Sequence, residues 1–485
     1  MQKGVSAYRS AYFLAVAMAC CGLGPFLMGG CPTLDGGGGN VNDNTDNDNE
    51  NGNDNIADKA FVGATTCQGC HGNRHEDWAA TAHAEALESL KAIGQGTNAE
   101  CLPCHTVGFG QTDGFLDEGT TPGLAGVQCE NCHGAGRDHV EAAMADVTNP
   151  AVLPAVDISA NVCGSCHQGV HHPNFEQWSE AGHSQINEDV EEDLLAGGTF
   201  VNNCGVCHSG DVFVMSRVWG QTVPEDLFAG AAAEDLNPVS CAVCHDPHKR
   251  TGNAASPDEG RDYQLRFPEV VPATQANTVA ETSDPTRFNL CGQCHHDRGR
   301  TWQTTTRPPH HSVQSNFYFG EMPAPEGEEP LVRNTSSIHA GVSEQCASCH
   351  MFRRDFESEQ APAISGHSFA IDFEACAGCH NPAVDPAEGK LELLKTEVDD
   401  AIADIKTRLG DETTWQYSAA GGPKEPDAED LQPGELTQDD ITDEIKKVRF
   451  LYSYVDGDGS DGVHNPYYVR AILAEADDLL TSIGR

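Results

Sequence analysis

The sequence predicts a mainly α-helical chain with extensive loops and little β structure, wrapped around bound groups and closed by C-terminal helices. Three observations predict it. The pattern Cys-x-x-Cys-His occurs nine times between Cys67 and His380 and uses eighteen of the 21 cysteines. Only 38% of the residues are hydrophobic, which is low for 485 residues packed on side-chain cores alone. Beyond His380 apolar residues recur at spacings of three and four, the period of a helix face.

The nine copies are Cys67, Cys70 and His71; Cys101, Cys104 and His105; Cys129, Cys132 and His133; Cys163, Cys166 and His167; Cys204, Cys207 and His208; Cys241, Cys244 and His245; Cys291, Cys294 and His295; Cys346, Cys349 and His350; and Cys376, Cys379 and His380. This is the signature of c-type haem attachment. The two thiols bond to the haem vinyl groups, and the next residue places an imidazole under the iron. Paired zinc sites and disulfide frameworks also use CxxC, but neither needs a His directly after each second Cys. Nine covalently attached haem c groups are expected. At roughly 35 residues per haem, the protein core is small and the chain wraps around a haem array whose members lie close together.

A formal charge of −46 excludes nucleic acid as a partner, since that requires a basic surface. It also opposes docking to anionic lipid headgroups. Two readings remain open: redox protein partners with a basic docking face, or an acidic surface that serves solubility.

In chain order, residues 1–30 read as an export signal of lipoprotein type. Lys3 and Arg9 precede an apolar run from Tyr12 to Met28, and Gly29-Gly30-Cys31 closes it, making Cys31 the lipidation candidate. Ordinary cleavage and an uncleaved anchor are the alternatives. Residues 31–58 are a Gly/Asn/Asp tether that cannot bury a core. The expected location is the periplasm, or the outer membrane or cell surface, with the membrane reached through a lipid anchor.

Residues 59–250 carry an internal repeat. Trp78 precedes His83 by five residues and Trp178 precedes His183 by five, so the motifs at Cys67, Cys101 and Cys129 correspond to those at Cys163, Cys204 and Cys241. That makes two three-haem modules, followed by a further three-haem region over residues 251–385.

The run FVGATTCQGCH, Trp78, His83-Ala84, CLPCHTVGFG and GVQCENCHGAGRDH resembles the cytochrome c-554 family of multihaem electron carriers over residues 61–140, and more faintly to about 250. From His339 the order His, CASCHM, Gly366-His367-Ser368-Phe369, CAGCH is similar to multihaem cytochromes of the nitrite and hydroxylamine type, whose C-termini are also long helices. The resemblance implies a multihaem cytochrome c. One departure limits it: the nitrite reductases hold their catalytic haem through CxxCK, whereas every motif here ends in His. The nitrite-reducing role does not carry over.

Residues 386–485 read as helices. Leu391, Leu394, Val398, Ile402, Ile405 and Leu409 share one face, with Asp385-Pro386 and Glu388 as the start and Gly410 as the stop. A second helix is predicted from Thr437 to Tyr454, and a third from Asn465-Pro466 to Ile483. Asp456–Gly462 begins like a calcium loop but lacks the sixth-position Gly and the twelfth-position Glu, so a turn is expected.

Each iron needs a second axial partner. An imidazole there gives a closed centre suited to electron transfer, and an open position gives a catalytic one. Thirteen histidines lie outside the motifs. The candidates for the distal side are His83, His139, His172 (or His171), His183, His248, His311 (or His310), His339 and His367. His464 stands between packing at the start of the last helix and ligation, and His75 and His296 are expected in solvent or behind a ligand. This supply points to a carrier of single electrons between redox partners. The alternative is an oxidoreductase acting on a small nitrogen or sulfur species at one open haem.

Overall fold

The computed structural model describes residues 60–252, 262–266 and 289–485, apart from Asn334, Ser343, Glu344, Glu359, Pro382, Val384 and Asp385. The export segment, Cys31 and the tether lie outside the described residues, as does Asp385 at the predicted helix start. None of the described helices is long and apolar enough to cross a membrane. Two compact units form. One runs to Ile158 and takes in Pro247–Arg250; the other comprises Ser159–Asp246 and Thr251–Arg485.

Through both units the motifs form single helical turns, such as Leu102–His105, Cys129–His133, Gly205–His208 and Cys346–His350. The motif imposes this geometry. Positions i, i+3 and i+4 share one helix face, so one turn presents both thiols and the imidazole to the same side. The turn is closed by the His N–H donating to the first Cys carbonyl: His71 to Cys67 at 2.9 Å, His208 to Cys204 at 3.1 Å and His380 to Cys376 at 2.8 Å. Strand pairing among the described residues is confined to isolated bridges, such as Thr106 with Ala125 and Arg354 with Ile364.

In the first unit a small core gathers Phe61, Leu87, Leu90, Leu102, Val107, Phe115 and Leu124. Polar side chains inside the third motif tie it to the rest. The buried Glu130 carboxylate accepts from Val62 N (3.0 Å), Gly63 N (2.8 Å) and Gly136 N (2.7 Å), and Asn131 Nδ2 donates to Thr106 O at 2.9 Å. Trp78 Nε1 donates to Val127 O at 2.9 Å. In the second unit Trp178 Nε1 donates to Val239 O at 2.9 Å. Both acceptors stand two residues before a motif, so the repeated Trp does the same work in each unit.

The larger core belongs to three C-terminal helices: α1, Ala387–Leu409; α2, Asp443–Asp458; and α3, Pro466–Ser482. On α1 the predicted face is the buried one, with Leu394, Val398, Ile405 and Leu409 inside. Gly410 stops the helix at φ 80, a conformation that favours glycine. The start of α2 differs from the prediction. Thr437 N and Oγ1 both donate to Asp440 Oδ2 (2.8 and 2.9 Å), which closes a short 3-10 turn at Gln438–Asp440. The helix begins only after Thr442, where Asp443 and Glu444 face its positive end. Asp456–Asp458 complete α2 rather than opening a loop, and Gly459 ends it at φ 65. Asn465 caps α3, its Oδ1 accepting from Tyr468 N at 3.2 Å.

Candidate haem sites

The chain fits a covalently held haem at three levels. First, apolar side chains in the motif-bearing part lack protein cover. Ile93, Met144 and Val147 are 70%, 49% and 65% exposed. A fold that packs on large apolar groups leaves such surface bare when protein alone is counted.

Second, the histidine tautomers are set. His105 Nδ1 donates to Ala86 O (2.8 Å), His133 to Ala155 O (2.6 Å), His245 to Tyr263 O (2.7 Å) and His350 to Phe369 O (3.0 Å), while His295 Nδ1 meets Gln314 Oε1 at 3.2 Å. A proton held on Nδ1 leaves the Nε2 lone pair for iron.

Third, motif rings face other imidazoles at the axial separation. About 2.0 Å per metal–nitrogen bond and roughly 1.1 Å from nitrogen to ring centre would put two axial imidazoles about 6.2 Å apart, centre to centre. Seven ring pairs stand there. His71 and His139 are 6.3 Å apart, His133 and His248 6.1 Å, His183 and His295 6.1 Å, and His208 and His310 6.5 Å. His245 and His367 are 6.1 Å apart, His339 and His380 6.5 Å, and His350 and His464 6.1 Å. The twist between planes ranges from 10° to 81°, which an axial pair tolerates because each ring can turn about its own bond to the metal.

Several outer rings are oriented too. Nδ1 of His139 donates to Val152 O (2.8 Å) and that of His339 to Val463 O (3.2 Å). His310 Nδ1 meets Ser312 Oγ at 2.9 Å, His367 Nδ1 meets Ser365 Oγ at 3.0 Å, and His464 Nδ1 meets Asp458 Oδ1 at 2.7 Å. Burial pushes His183, His208 and His367 down to about 4 and His310 to about 3, with Arg298 adding to the effect at His208 and His310. These rings are therefore neutral, and able to bind a metal, at pH 7.

Neighbouring motifs also touch. The Cys67 thiol lies beside that of Cys129 in the first unit, and Cys163 beside Cys241 in the second, again the first and third motifs of each repeat. Cys207 lies beside Cys294, and Cys291 beside Cys346. Attachment points this close would keep the edges of the attached groups near one another.

Of the remaining candidates, His83 is placed by its carbonyl, which accepts from Val127 N at 2.9 Å, and His172 N donates to Gly169 O at 3.1 Å. His171 lies against Phe356 with centroids 4.0 Å apart. His311 adjoins His310 at 4.1 Å, and one ligand atom from each of His208, His310 and His311 falls within a common 4.8 Å. His310 holds the axial distance to His208, although the sequence ranked His311 ahead of it. His464 also lies at that distance from a motif ring. The sequence left His464 between packing at the start of the last helix and ligation, because a lone His before a helix carries no pattern that separates the two. His296 is buried, its Nδ1 accepting from Arg298 N at 3.2 Å, and His75 packs beside Trp78 at 5.3 Å.

Three known families match in succession. Residues 66–134 match cytochrome c554 and c-prime, residues 224–389 match domains II/IV of outer membrane cytochromes like MtrC/MtrF, and residues 331–482 match cytochrome c552. Cytochrome c-554 of Nitrosomonas europaea is 33% identical over 138 residues, covering 23% of this chain and 59% of that protein. Cytochrome c-552 of Parabacteroides distasonis is 22% identical over 335 residues, covering 61% of this chain and 62% of that one. The C-type polyheme cytochrome OmcC of Geobacter sulfurreducens is 23% identical over 311 residues, covering 53% of this chain and 34% of that protein. The chain thus spans less than two thirds of the length of each of these relatives. In fold it is similar to the outer cell wall cytochrome OcwA (TM-score 0.56, 17% identity, 87% of this chain and 100% of that one). It is also similar to an undecaheme cytochrome from the S-layer of Carboxydothermus ferrireducens (TM-score 0.52, 18% identity, 87% and 70%). With haem-attachment motifs in every matched segment and imidazoles facing one another at axial distance, the chain belongs to the multihaem c-type cytochromes.

Proposed function

We propose that the protein carries single electrons between redox partners outside the cytoplasm, holding nine haems through its nine motifs. The observation that carries this reading is the seven ring pairs at axial distance, whose imidazoles would hold a haem iron from both sides. Bound haem supplies a one-electron iron centre at each site. The chain would contribute two imidazoles per such site, several with the tautomer fixed by an Nδ1 partner, and thiols close enough to keep neighbouring centres in reach. The names of its relatives, an outer membrane, an outer cell wall and an S-layer cytochrome, support a location at the cell surface. Cys31 would then be the lipid anchor, and the −46 charge would meet a basic docking face.

A second reading is an oxidoreductase acting on a small nitrogen or sulfur species, and it rests on His105. Among the described residues, no second imidazole stands at the axial distance from that ring. Two measurements on one preparation separate the readings. Intact mass should exceed that of the processed polypeptide by nine haems, and seven or fewer would defeat the count. Paramagnetic resonance of the oxidised form should show mainly low-spin iron, with carbon monoxide taken up at no more than the two haems outside the seven ring pairs. Uptake at more than two haems would overturn the carrier reading, and uptake at one or two with turnover of a nitrogen or sulfur species would establish the second.

A further inference from the structure

Among the Nδ1 bonds given above, that of His464 alone ends on a carboxylate. His296 Nδ1 accepts from a backbone N–H, and the other rings donate to backbone carbonyls, to the Ser312 and Ser365 hydroxyls or to the Gln314 amide. Asp458 Oδ1 lies 2.7 Å from His464 Nδ1, and the Asp458 side chain is 0% exposed against 22% for His464. Ser460 Oγ–H donates to the other carboxylate oxygen, and His464 N donates back to Ser460 Oγ at 3.1 Å. Gln314 Nε2 donates to Asp458 O at 3.2 Å while its Oε1 meets His295 Nδ1, which fixes the end of α2 against a neighbouring motif. The carboxylate is therefore held in place by the fold.

We infer that Asp458 is a positioning residue that sets the redox potential of the haem carried by Cys346, Cys349 and His350, making it one of the low-potential centres of the array. This rests on reading His464 as the axial partner of His350. A carboxylate that draws on the Nδ1 proton makes the imidazole a stronger electron donor through Nε2. A more basic axial ligand stabilises the oxidised, more positive iron over the reduced one, so the potential falls. A neutral acceptor such as a backbone carbonyl orients the ring without this charge.

The test is a spectroelectrochemical titration of the full-length holoprotein. Asp458→Asn keeps an acceptor of the same shape and removes the charge. One of the haems should then become easier to reduce, its oxidised-to-reduced ratio at a fixed potential falling about tenfold, or ~59 mV for a one-electron couple. The low-spin signal should be unchanged, and Asp458→Glu should restore most of the shift. Ser460→Ala relieves the carboxylate of a competing donor and should move the same haem the opposite way, which general loosening of the loop would not do. Titrations of D458N and S460A that both overlay the wild type would overturn the inference. His464→Ala tests the underlying reading separately. It should open one haem to carbon monoxide, and unchanged low-spin content would show that His464 is not a ligand at all.

Discussion

A single side chain decides whether an iron is closed or open, and the crowded site at His208 shows how finely. His310 and His311 both lie near His208, but His310 stands at the axial distance of 6.5 Å with Nδ1 fixed by Ser312 Oγ at 2.9 Å. His311 has no such pairing with a motif ring among the described residues. His310→Ala should therefore convert one low-spin haem to a carbon monoxide-binding one, whereas His311→Ala should leave the low-spin count intact. Equal effects of the two changes would mean that His311 substitutes freely. Glu130 shows the same economy in the first unit, where one buried carboxylate satisfies three backbone N–H groups around the first and third motifs.

At the scale of elements, the C-terminal helices do more than cover a core. The end of α2 delivers Asp458, and the turn into α3 delivers His464 and Asn465. Asn465 is fully buried and works in two directions. Its Oδ1 caps α3, and its Nδ2 donates to Thr335 O at 2.6 Å and Phe317 O at 3.3 Å. Asn465→Ala should cost about 1–2 kcal/mol for the cap alone, with a further loss from the carbonyls left unpaired. It should also broaden the signal of the His464-linked haem, because the two residues are adjacent. Asn465→Ser retains a capping oxygen but not the amide donor, so a fall in thermal unfolding temperature smaller than that of the alanine variant is expected. Identical values for the two would place all the loss in the carbonyl contacts.

At the scale of the whole molecule the dominant quantity is the charge of −46. Attraction between exposed charges is screened beyond about 8 Å at physiological ionic strength. Transfer to a basic redox partner should therefore slow steeply as salt rises, while transfer to a small neutral acceptor should not. A flat salt dependence with the protein partner would remove the acidic surface from docking. Cys31→Ser should release the protein from the membrane fraction if that residue carries the lipid anchor.

What the sequence determined by itself is the chemistry contained in five consecutive residues. Two thiols and an imidazole at i, i+3 and i+4 need only one helical turn to face a haem, so attachment and the motif histidine are local properties. The helix face of α1 was legible for the same reason, since burial there follows a period within one element. The start of α2 was not, because a Thr437–Asp440 turn competed with the helix signal. The ring opposite a motif histidine was beyond any local pattern. His183 meets His295, His245 meets His367 and His350 meets His464 only because separate turns converge in space. Their spacing along the chain bears no relation to the 6 Å across which they face each other. Packing brings those rings together, and so the tertiary structure alone decided which histidines pair and which one meets a carboxylate.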